Sequence, residues 1–297
     1  MIHIPSLRCL ALALILAASL PGCTSTPAAK HSGLRQALTF YASFDHGPDA
    51  DFGAGDRKLY QSPSMGHPRT GTPGLPASGA VQLAAGQGRF GTALHFTRKT
   101  SEMVFFRAKE NLLHQTNAWS GTVSLWLRTG AREDLAPGYC DPIQITPRDW
   151  NDAAFFVEFE KRTNDVPFRL GVYPDLKVWN PENRNWDSIP ASEKPLLTIP
   201  TPPISRDAWM HVVFTWENFN TGRPDGIARL FLNGLPAGNL PTRTSTFTWD
   251  IDKTLLMLGL NYVGYWDELS VFNRALTDTE IRSLHGLEKG VASLIGH

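Results

Sequence analysis

The sequence predicts an all-β protein built as a sandwich of two antiparallel sheets. Apolar and polar residues alternate with a period of two in several segments, most clearly in 38–44, 122–128 and 210–216. This period places alternate residues on opposite faces of a sheet, and no segment with helical periodicity is of comparable length. Many short strands separated by Gly- and Pro-containing turns, without strand–helix–strand alternation, are typical of two sheets packed face to face.

Composition and charge exclude several classes of protein. The 297 residues include 28 Lys and Arg and 28 Asp and Glu, so the formal net charge of zero argues against a broadly basic nucleic-acid binder. Three Cys residues are too few for a scaffold held together by disulfides. The sequence contains no G-x-S-x-G nucleophile elbow, no H-E-x-x-H metal motif and no Gly-rich strand-to-helix turn for a nucleotide phosphate.

The first 22 residues are typical of a bacterial secretion signal. Arg8 supplies a positive charge, and the uncharged segment 9–20 has the length of a signal-peptide core rather than of a transmembrane helix. Residues 20–23 (LPGC) resemble the lipobox of bacterial lipoproteins, in which the Cys becomes the acylated N-terminus. We therefore expect cleavage before Cys23 and a lipid anchor in the cell envelope, on the periplasmic or the outer-surface side. The alternative is a plain secretory signal.

The rest of the chain divides into a tether, one folded domain and a tail. Residues 23–37 are small and polar without a hydrophobic period, which predicts a flexible tether. The domain is predicted at 38–289, and residues 290–297 form the tail. After processing, Cys140 is the one free thiol, so it has no intrachain disulfide partner. No patterned His accompanies it in the sequence, and we predict no catalytic role for it.

Two local signals define elements within the domain. The alternating segment 227–232 is followed by Asn233 and Gly234, a pair that suits the positive φ angles of a type I′ hairpin turn. Thr277 and Glu280 have the spacing of a capping box and are followed by apolar residues at helical spacing. The sequence therefore predicts a hairpin in the body of the domain and one short helix near its end.

Four segments, in order, resemble a known family. Residues 88–96 resemble the G-x-x-G-x-A-L-x-F segment of laminin G-like domains, and residues 121–127 resemble their F-T-v-S-x-W-v strand. Residues 209–216 and 228–234 are similar to the strand pair W-x-H-v-a-x-t and v-x-l-Y-v-N-G, and residues 264–276 are similar to G-x-i-D-E-v-r-i-y-n-R-A-L. The resemblance to this branch of the concanavalin A-like lectin/glucanase superfamily spans about residues 38–288. It implies a two-sheet jelly roll of about a dozen strands.

Asp45 and Asp267 are candidate ligands of a structural Ca²⁺ ion. A period of two places Asp267 on the face of Leu269 and Val271, where an unpaired carboxylate is costly to bury. In relatives of this fold the first and last strands lie together, and an Asp from each often binds Ca²⁺, an ion that takes carboxylate and carbonyl oxygens. The alternative is that Asp267 accepts backbone N–H bonds and that Asp45 caps a turn.

Glu158 and Glu160 lie two residues apart on one predicted strand, so they share a face of the sheet. Paired carboxylates serve retaining glycosidases, and laminarinase-like enzymes of the superfamily carry E-x-D-x-x-E on a strand. Here the central Asp is replaced and the third acid is absent. Glu158 and Glu160 are therefore candidate catalytic residues only under an alternative function, that of a polysaccharide hydrolase or lyase.

Aromatic residues in the middle of the chain are candidate ligand-binding residues: Tyr139, Trp150, Trp179 and Trp186. Aromatic faces beside amide and carboxylate groups suit sugar rings, whose C–H faces stack while their hydroxyls form hydrogen bonds. The alternative is that these rings pin long loops onto the sandwich. The sequence favours a non-catalytic envelope module that binds a glycan; a protein-binding envelope component is a further alternative, and nucleic acid and nucleotide are not expected as partners.

Overall fold

The computed structural model of the protein describes residues 1–2, 31–66 and 69–296. Cys23 and most of the predicted signal peptide lie outside the described residues. Within the described part of the chain, no helix is long and apolar enough to span a bilayer. The body of the protein consists of two antiparallel sheets packed as a sandwich, which confirms the predicted fold class.

Among the described residues the first sheet has nine strands, numbered in chain order. They are β1 Leu38–Ala42, β2 Phe52–Gly53, β5 Val81–Ala84, β6 Ala93–Phe96, β8 Trp119–Arg128, β13 Met210–Phe219, β14 Ile227–Leu232, β15 Leu235–Asn239 and β17 Gly264–Phe272. Their order is β15-β14-β13-β8-β17-β1-β2, while β6 pairs with β17 and β5 pairs with β6. The last strand of the chain therefore pairs with the first, as the resemblance implies.

The second sheet has eight strands. They are β3 Tyr60–Ser62, β4 Thr72–Pro73, β7 Met103–Arg107, β9 Gly138–Thr146, β10 Ala154–Lys161, β11 Phe168–Tyr173, β12 Leu196–Ile199 and β16 Leu255–Leu260. Their order is β12-β11-β10-β9-β16-β7-β3-β4. The helical segments are α1 Ser32–Ala37, α2 Leu176–Trp179, a 3₁₀ turn at Trp186–Ser188, α3 Asp278–His285 and α4 Ala292–Ile295.

The main hydrophobic core fills the space between the sheets. Phe155 and Val157 of β10 face Phe214 and Trp216 of β13, and all four side chains are buried. Trp119 of β8 joins them, with its ring centroid 5.0 Å from that of Trp216. Because these residues are the inward members of the period-two alternation, the residues between them point to the outer faces of the two sheets.

Both local signals of the sequence are confirmed. Asn233 and Gly234 join β14 to β15 with φ angles of 50° and 77°. Thr277 caps α3: its side chain accepts the N–H of Glu280 at 3.3 Å, and the Glu280 carboxylate accepts the N–H of Thr277 at 2.9 Å. The apolar side of α3 packs on the outer face of the nine-stranded sheet.

The ordered domain extends beyond both predicted ends. α1 occupies the end of the segment predicted as a tether, and α4 lies in the predicted tail. Leu34 and Leu294, from these two helices, are buried in one cluster with Phe231 of the nine-stranded sheet. The prediction of a flexible tether up to residue 37 is wrong over α1, because apolar side chains of this short helix are buried there.

A β-bulge in β17 changes the face on which Asp267 lies. A strict period of two would place Trp266 on one face of the sheet and Leu269 and Val271 on the other. All three nevertheless belong to the core between the sheets. The register of β17 shifts after Asp267, and Glu268 has a φ of 58°. The bulge adds one residue, so the prediction that Asp267 shares the face of Leu269 is wrong.

Candidate functional site

A cavity of about 360 Å³ lies on the outer face of the eight-stranded sheet. Its floor includes Gln144 of β9, Phe156 and Glu158 of β10, and Arg169 of β11. These are outward-facing members of the alternation whose inward members form the core. The cavity volume lies within the range of about 300–1,000 Å³ that is usual for small-ligand pockets.

Three of the four aromatic candidates line this cavity. Tyr139 lies near the start of β9 and is 54% exposed, and Trp150 in the β9–β10 loop is 45% exposed. Trp186 comes from the long connection between β11 and β12. Its ring meets that of Trp150 edge to face, with centroids 5.6 Å apart. The fold thus gathers three rings that are distant in sequence around one cavity.

The loops that carry these rings are tied together by an ion-pair bridge. Arg148 of the β9–β10 loop lies 3.1 Å from Asp152 of the same loop. It also lies 3.2 Å from Asp175, which directly precedes α2 in the connection between β11 and β12. The same Oδ1 of Asp152 also accepts the N–H of Leu176 at 2.8 Å. This bridge holds the Trp150 loop against the segment that precedes Trp186.

Trp179 does not line the cavity. Its Nε1–H donates to the carbonyl of Asn151 at 2.9 Å, and its ring packs edge to face on Tyr173, with centroids 5.2 Å apart. Trp179 thus has the loop-pinning contacts that the sequence left open as the alternative role for these aromatic residues.

Arg169 links the two glutamates of β10. Its guanidinium is 2.6 Å from Glu158 and 2.8 Å from Glu160, and it lies over the Tyr139 ring. Burial raises the pKa of Glu158 to about 7 although Arg169 opposes the shift. Partial burial also acts on Glu160, yet hydrogen bonding by Arg162 and the charge of Arg169 hold the pKa of Glu160 below its ordinary value.

Asp141 is a lining residue that the sequence reasoning missed. It lies on β9, two residues after Tyr139, and the two flank the buried Cys140. Asp141 is half-buried, and across the described residues its carboxylate is in no hydrogen bond or ion pair. Burial and the negative charge of Glu158 raise the pKa of Asp141 well above its ordinary value. The one sequence signal that could have identified Asp141 is its position two residues after Tyr139, because residues two apart on a strand share a face of the sheet.

Cys140 itself lies in the core between the sheets. Burial raises the pKa of its thiol far above the ordinary value, and Asp141 adds to this effect. A thiol that stays protonated at neutral pH is a poor nucleophile, so the cavity gains no reactive group from Cys140.

The carboxylates of Asp45 and Asp267 flank one turn of the chain, which links β5 to β6. Asp267 accepts the N–H of Arg89 at 2.7 Å, and Asp45 accepts the N–H of Thr92 at 2.6 Å. Gly91 has a φ of 63°, and a Cβ there would come 2.1 Å from Asp45. These hydrogen bonds fit the alternative to a calcium site, in which Asp267 accepts backbone N–H bonds and Asp45 caps a turn.

The burial of Asp267 is the observation that bears on the calcium prediction. The residue is fully buried, and burial, with the charge of Glu268, raises the pKa of Asp267 to about 9. No ion pair within 31–66 and 69–296 includes Asp267, and no group of three or more His, Cys, Asp or Glu in these ranges could hold a metal. If the protein binds Ca²⁺ here, Asp45 and Asp267 are the residues that would hold it. The calcium site stays a prediction.

Comparison with known proteins agrees with this architecture. Residues 106–282 match the laminin G family model described as the concanavalin A-like lectin/glucanases superfamily. No curated protein matches the chain. Among solved structures, domain 4 of AbnA, a GH43 extracellular arabinanase from Geobacillus stearothermophilus, in complex with arabinotriose, is similar with a TM-score of 0.49 and 17% identity, over 83% of this chain and 97% of that one.

Two toxin domains are also similar in fold. The binding domain of botulinum neurotoxin DC in complex with SialylT has a TM-score of 0.52 and 13% identity, over 85% of this chain and 52% of that one. The receptor binding domain of the botulinum neurotoxin C/D mosaic serotype has a TM-score of 0.52 and 10% identity, over 86% and 52%. The chain therefore spans about half the length of these toxin domains, and the likeness shows the fold alone. The family match covers more than half of the chain, which belongs to the concanavalin A-like lectin/glucanase superfamily.

Proposed function

We propose that the protein is a non-catalytic module of the cell envelope that binds a glycan in the cavity lined by Tyr139, Trp150 and Trp186. The observation that carries this proposal is the meeting of three aromatic rings with carboxylate and amide groups in one cavity. Sugar rings offer C–H faces for the aromatic walls and hydroxyls for Gln144 and Asn261 on the polar side.

The fold family supports this ligand class. The superfamily is named for lectins and glucanases, and the neurotoxin DC binding domain, which shares the fold, is solved in complex with SialylT. The two glutamates of β10 favour binding over hydrolysis, because Arg169 engages both Glu158, which lines the cavity, and Glu160, which does not. A general acid and a nucleophile would each need a carboxyl group free to face the sugar.

Replacing Trp150 or Trp186 by Ala should lower glycan affinity by about tenfold, or about 1.4 kcal/mol, because each change removes a stacking face from the cavity. A glycan array on residues 24–297 identifies a ligand, and titration of each variant measures the loss. Trp209→Ala is the matched control, since Trp209 precedes β13 on the other sheet. Wild-type affinity in both cavity variants would contradict the assignment.

One observation favours hydrolysis as a second candidate function. Glu158 lies in the cavity with its pKa raised to about 7, the range in which a carboxylic acid can donate a proton to a leaving group at neutral pH. Polysaccharides that bind on the array should therefore also be assayed for reducing ends. If the wild-type protein releases reducing ends and Glu158→Gln abolishes this release, the protein is a hydrolase and not a non-catalytic binding module.

The lipid anchor is the second part of the proposal. Cys23 follows a signal-like segment and a lipobox-like sequence, so processing should leave it as an acylated N-terminus. A radiolabelled fatty acid should label the wild-type protein in bacterial cells, and Cys23→Ser should abolish the label. Cys140→Ser is the control, because Cys140 is buried in the folded domain. Label that persists in Cys23→Ser would show a plain secretory signal.

A further inference from the structure

We infer that the cavity selects glycans with free amino groups, as in glucosamine units, and that the Asp141 carboxylate receives the ammonium group. This inference rests on the proposed function, because it concerns the same cavity. It goes further by naming the chemical class of the ligand and the residue that discriminates between related sugars.

The charges that line the cavity are unbalanced. Asp141 and Glu158 are the acids of the lining, and Arg169 is its one basic residue among those that the structure describes. Arg169 is only 8% exposed, and its two terminal nitrogens are used by Glu158 and by Glu160 at the rim. No part of this guanidinium is paired with Asp141, so the lining keeps one carboxyl group without a positive partner.

The residues that face Asp141 from the neighbouring strands do not supply it with a cation of its own. Across β9 and β10, Glu158 acts on Asp141 as a like charge, while Arg169 of β11 opposes it. On the other side, β16 and the residue after it contribute the uncharged Leu260 and Asn261 to the lining. Two neighbouring like charges, Glu158 buried and Asp141 half-buried, share one counter-charge, which favours a bound proton or a bound cation; a ligand ammonium group supplies the cation.

The aromatic walls add to the attraction for a cation. The faces of two rings already hold protein cations: Arg169 lies over Tyr139 at 5.0 Å, and Lys194 lies over Trp186 at 4.1 Å. Within the described residues no cation lies over the Trp150 ring, which is 45% exposed. An ammonium group bound between this ring and Asp141 would gain both cation–π and charge-assisted hydrogen-bond energy.

Acidic and N-acetylated sugars lack this advantage. A uronic or sialic acid would bring a third carboxylate beside Asp141 and Glu158, which like-charge repulsion disfavours. An N-acetyl group removes the positive charge and adds bulk while leaving the sugar ring unchanged. A glucosamine oligomer and its N-acetylated counterpart of equal length are therefore matched probes that differ at the group in question.

The test compares the two oligomers by calorimetric titration at about pH 7, where most of an amine with an ordinary pKa near 8 is still charged and fewer protons than at lower pH compete for Asp141. We expect the wild-type protein to bind the glucosamine oligomer about tenfold more tightly, and Asp141→Asn to bind the two equally. Asp165→Asn, at an exposed acid outside the cavity, should keep the preference. Asp141→Asn should stay folded, because Asn is close to Asp in size and the change removes a charge that lies beside the like charge of Glu158.

The outcomes separate this inference from the proposed function. Equal wild-type affinities for the two oligomers, both weakened by Trp150→Ala, would overturn the amine preference and leave the glycan module standing. A preference that survives in Asp141→Asn would overturn the role of Asp141. Failure of the wild-type protein to bind either oligomer or any glycan on the array would overturn both proposals.

Discussion

Replacing Arg169 by Met should lower the free energy of unfolding by about 3–5 kcal/mol at about pH 8, because the change leaves a buried carboxylate without its counter-charge. Glu158 is only 6% exposed and depends on Arg169 for its ion pair. Glu160, closer to the rim, also hydrogen-bonds Arg162 and is affected less. Urea denaturation of the purified domain measures the loss.

The effect of Arg169→Met should depend on pH in a defined direction. The pKa of Glu158 is about 7 even with Arg169 present, above its value in the unfolded chain, and removal of the guanidinium raises it further. A raised folded-state pKa contributes stability that is full below the unfolded pKa and is lost as the pH rises through the folded pKa. The destabilisation should therefore be smallest near pH 4 and largest near pH 8.

Two further variants isolate the cause. Glu158→Gln combined with Arg169→Met should recover much of the lost stability, because the neutral amide needs no counter-charge. Arg162→Met should cost less than about 1 kcal/mol, since Arg162 is 51% exposed and its ion pairs are near solvent. A loss for Arg169→Met that is equal at both pH extremes, or that the double variant does not reduce, would contradict this explanation.

The parts of the fold that the sequence predicts are those set by local spacing. The core stripe of β13 follows from simple alternation, and the turn at Asn233 and Gly234 follows from two residues that tolerate positive φ. The start of α3 follows from the reciprocal hydrogen bonds of Thr277 and Glu280. Each of these features depends on residues only a few positions apart, so one sequence contains the whole signal.

The bulge in β17 shows where this reasoning fails. A period of two assumes that no residue is inserted, and nothing about Glu268 as a residue type marks it for a φ of 58°. One added residue moves Asp267 from the predicted inner face to the outer one, beneath the turn at Arg89. Asp267 and Asp45 both accept N–H groups of that turn, but Asp267 does so from the side of the sheet opposite to the predicted one.

The candidate site depends on contacts that no periodicity encodes. Tyr139 and Trp186 are 47 positions apart, and they share a cavity because the connection after β11 folds back over β9 and β10. The bridge from Arg148 to Asp175 that holds this connection is visible only in the structure. The sequence could name aromatic residues as a class, but the separation of cavity-lining Trp150 from loop-pinning Trp179 required three-dimensional contacts.

Excess calcium should raise the melting temperature of the domain relative to EDTA if Asp45 and Asp267 bind the ion that the resemblance implies. An ion that binds only the folded state adds about 2.7 kcal/mol to the free energy of unfolding when its free concentration is about 100-fold above Kd. Asp267→Asn should remove most of this response, while Asp49→Asn, in the loop after Asp45, should keep it. Thermal melts of the three proteins, with and without EDTA, make the comparison.

The pH dependence of the calcium response provides an independent check. Without an ion, burial raises the pKa of Asp267 to about 9, above that of an Asp in the unfolded chain, so its contribution to stability declines as the pH rises from about 4 to about 9. Bound Ca²⁺ favours the ionised carboxylate and should offset this decline, which makes the difference between calcium and EDTA larger at pH 8 than at pH 5. Identical melting curves at both pH values would leave Asp267 as a protonated acid held by the N–H groups of Arg89 and Phe90. In that case Asp267→Asn, which keeps one carbonyl acceptor and carries no charge, should be at least as stable as the wild-type domain at pH 8.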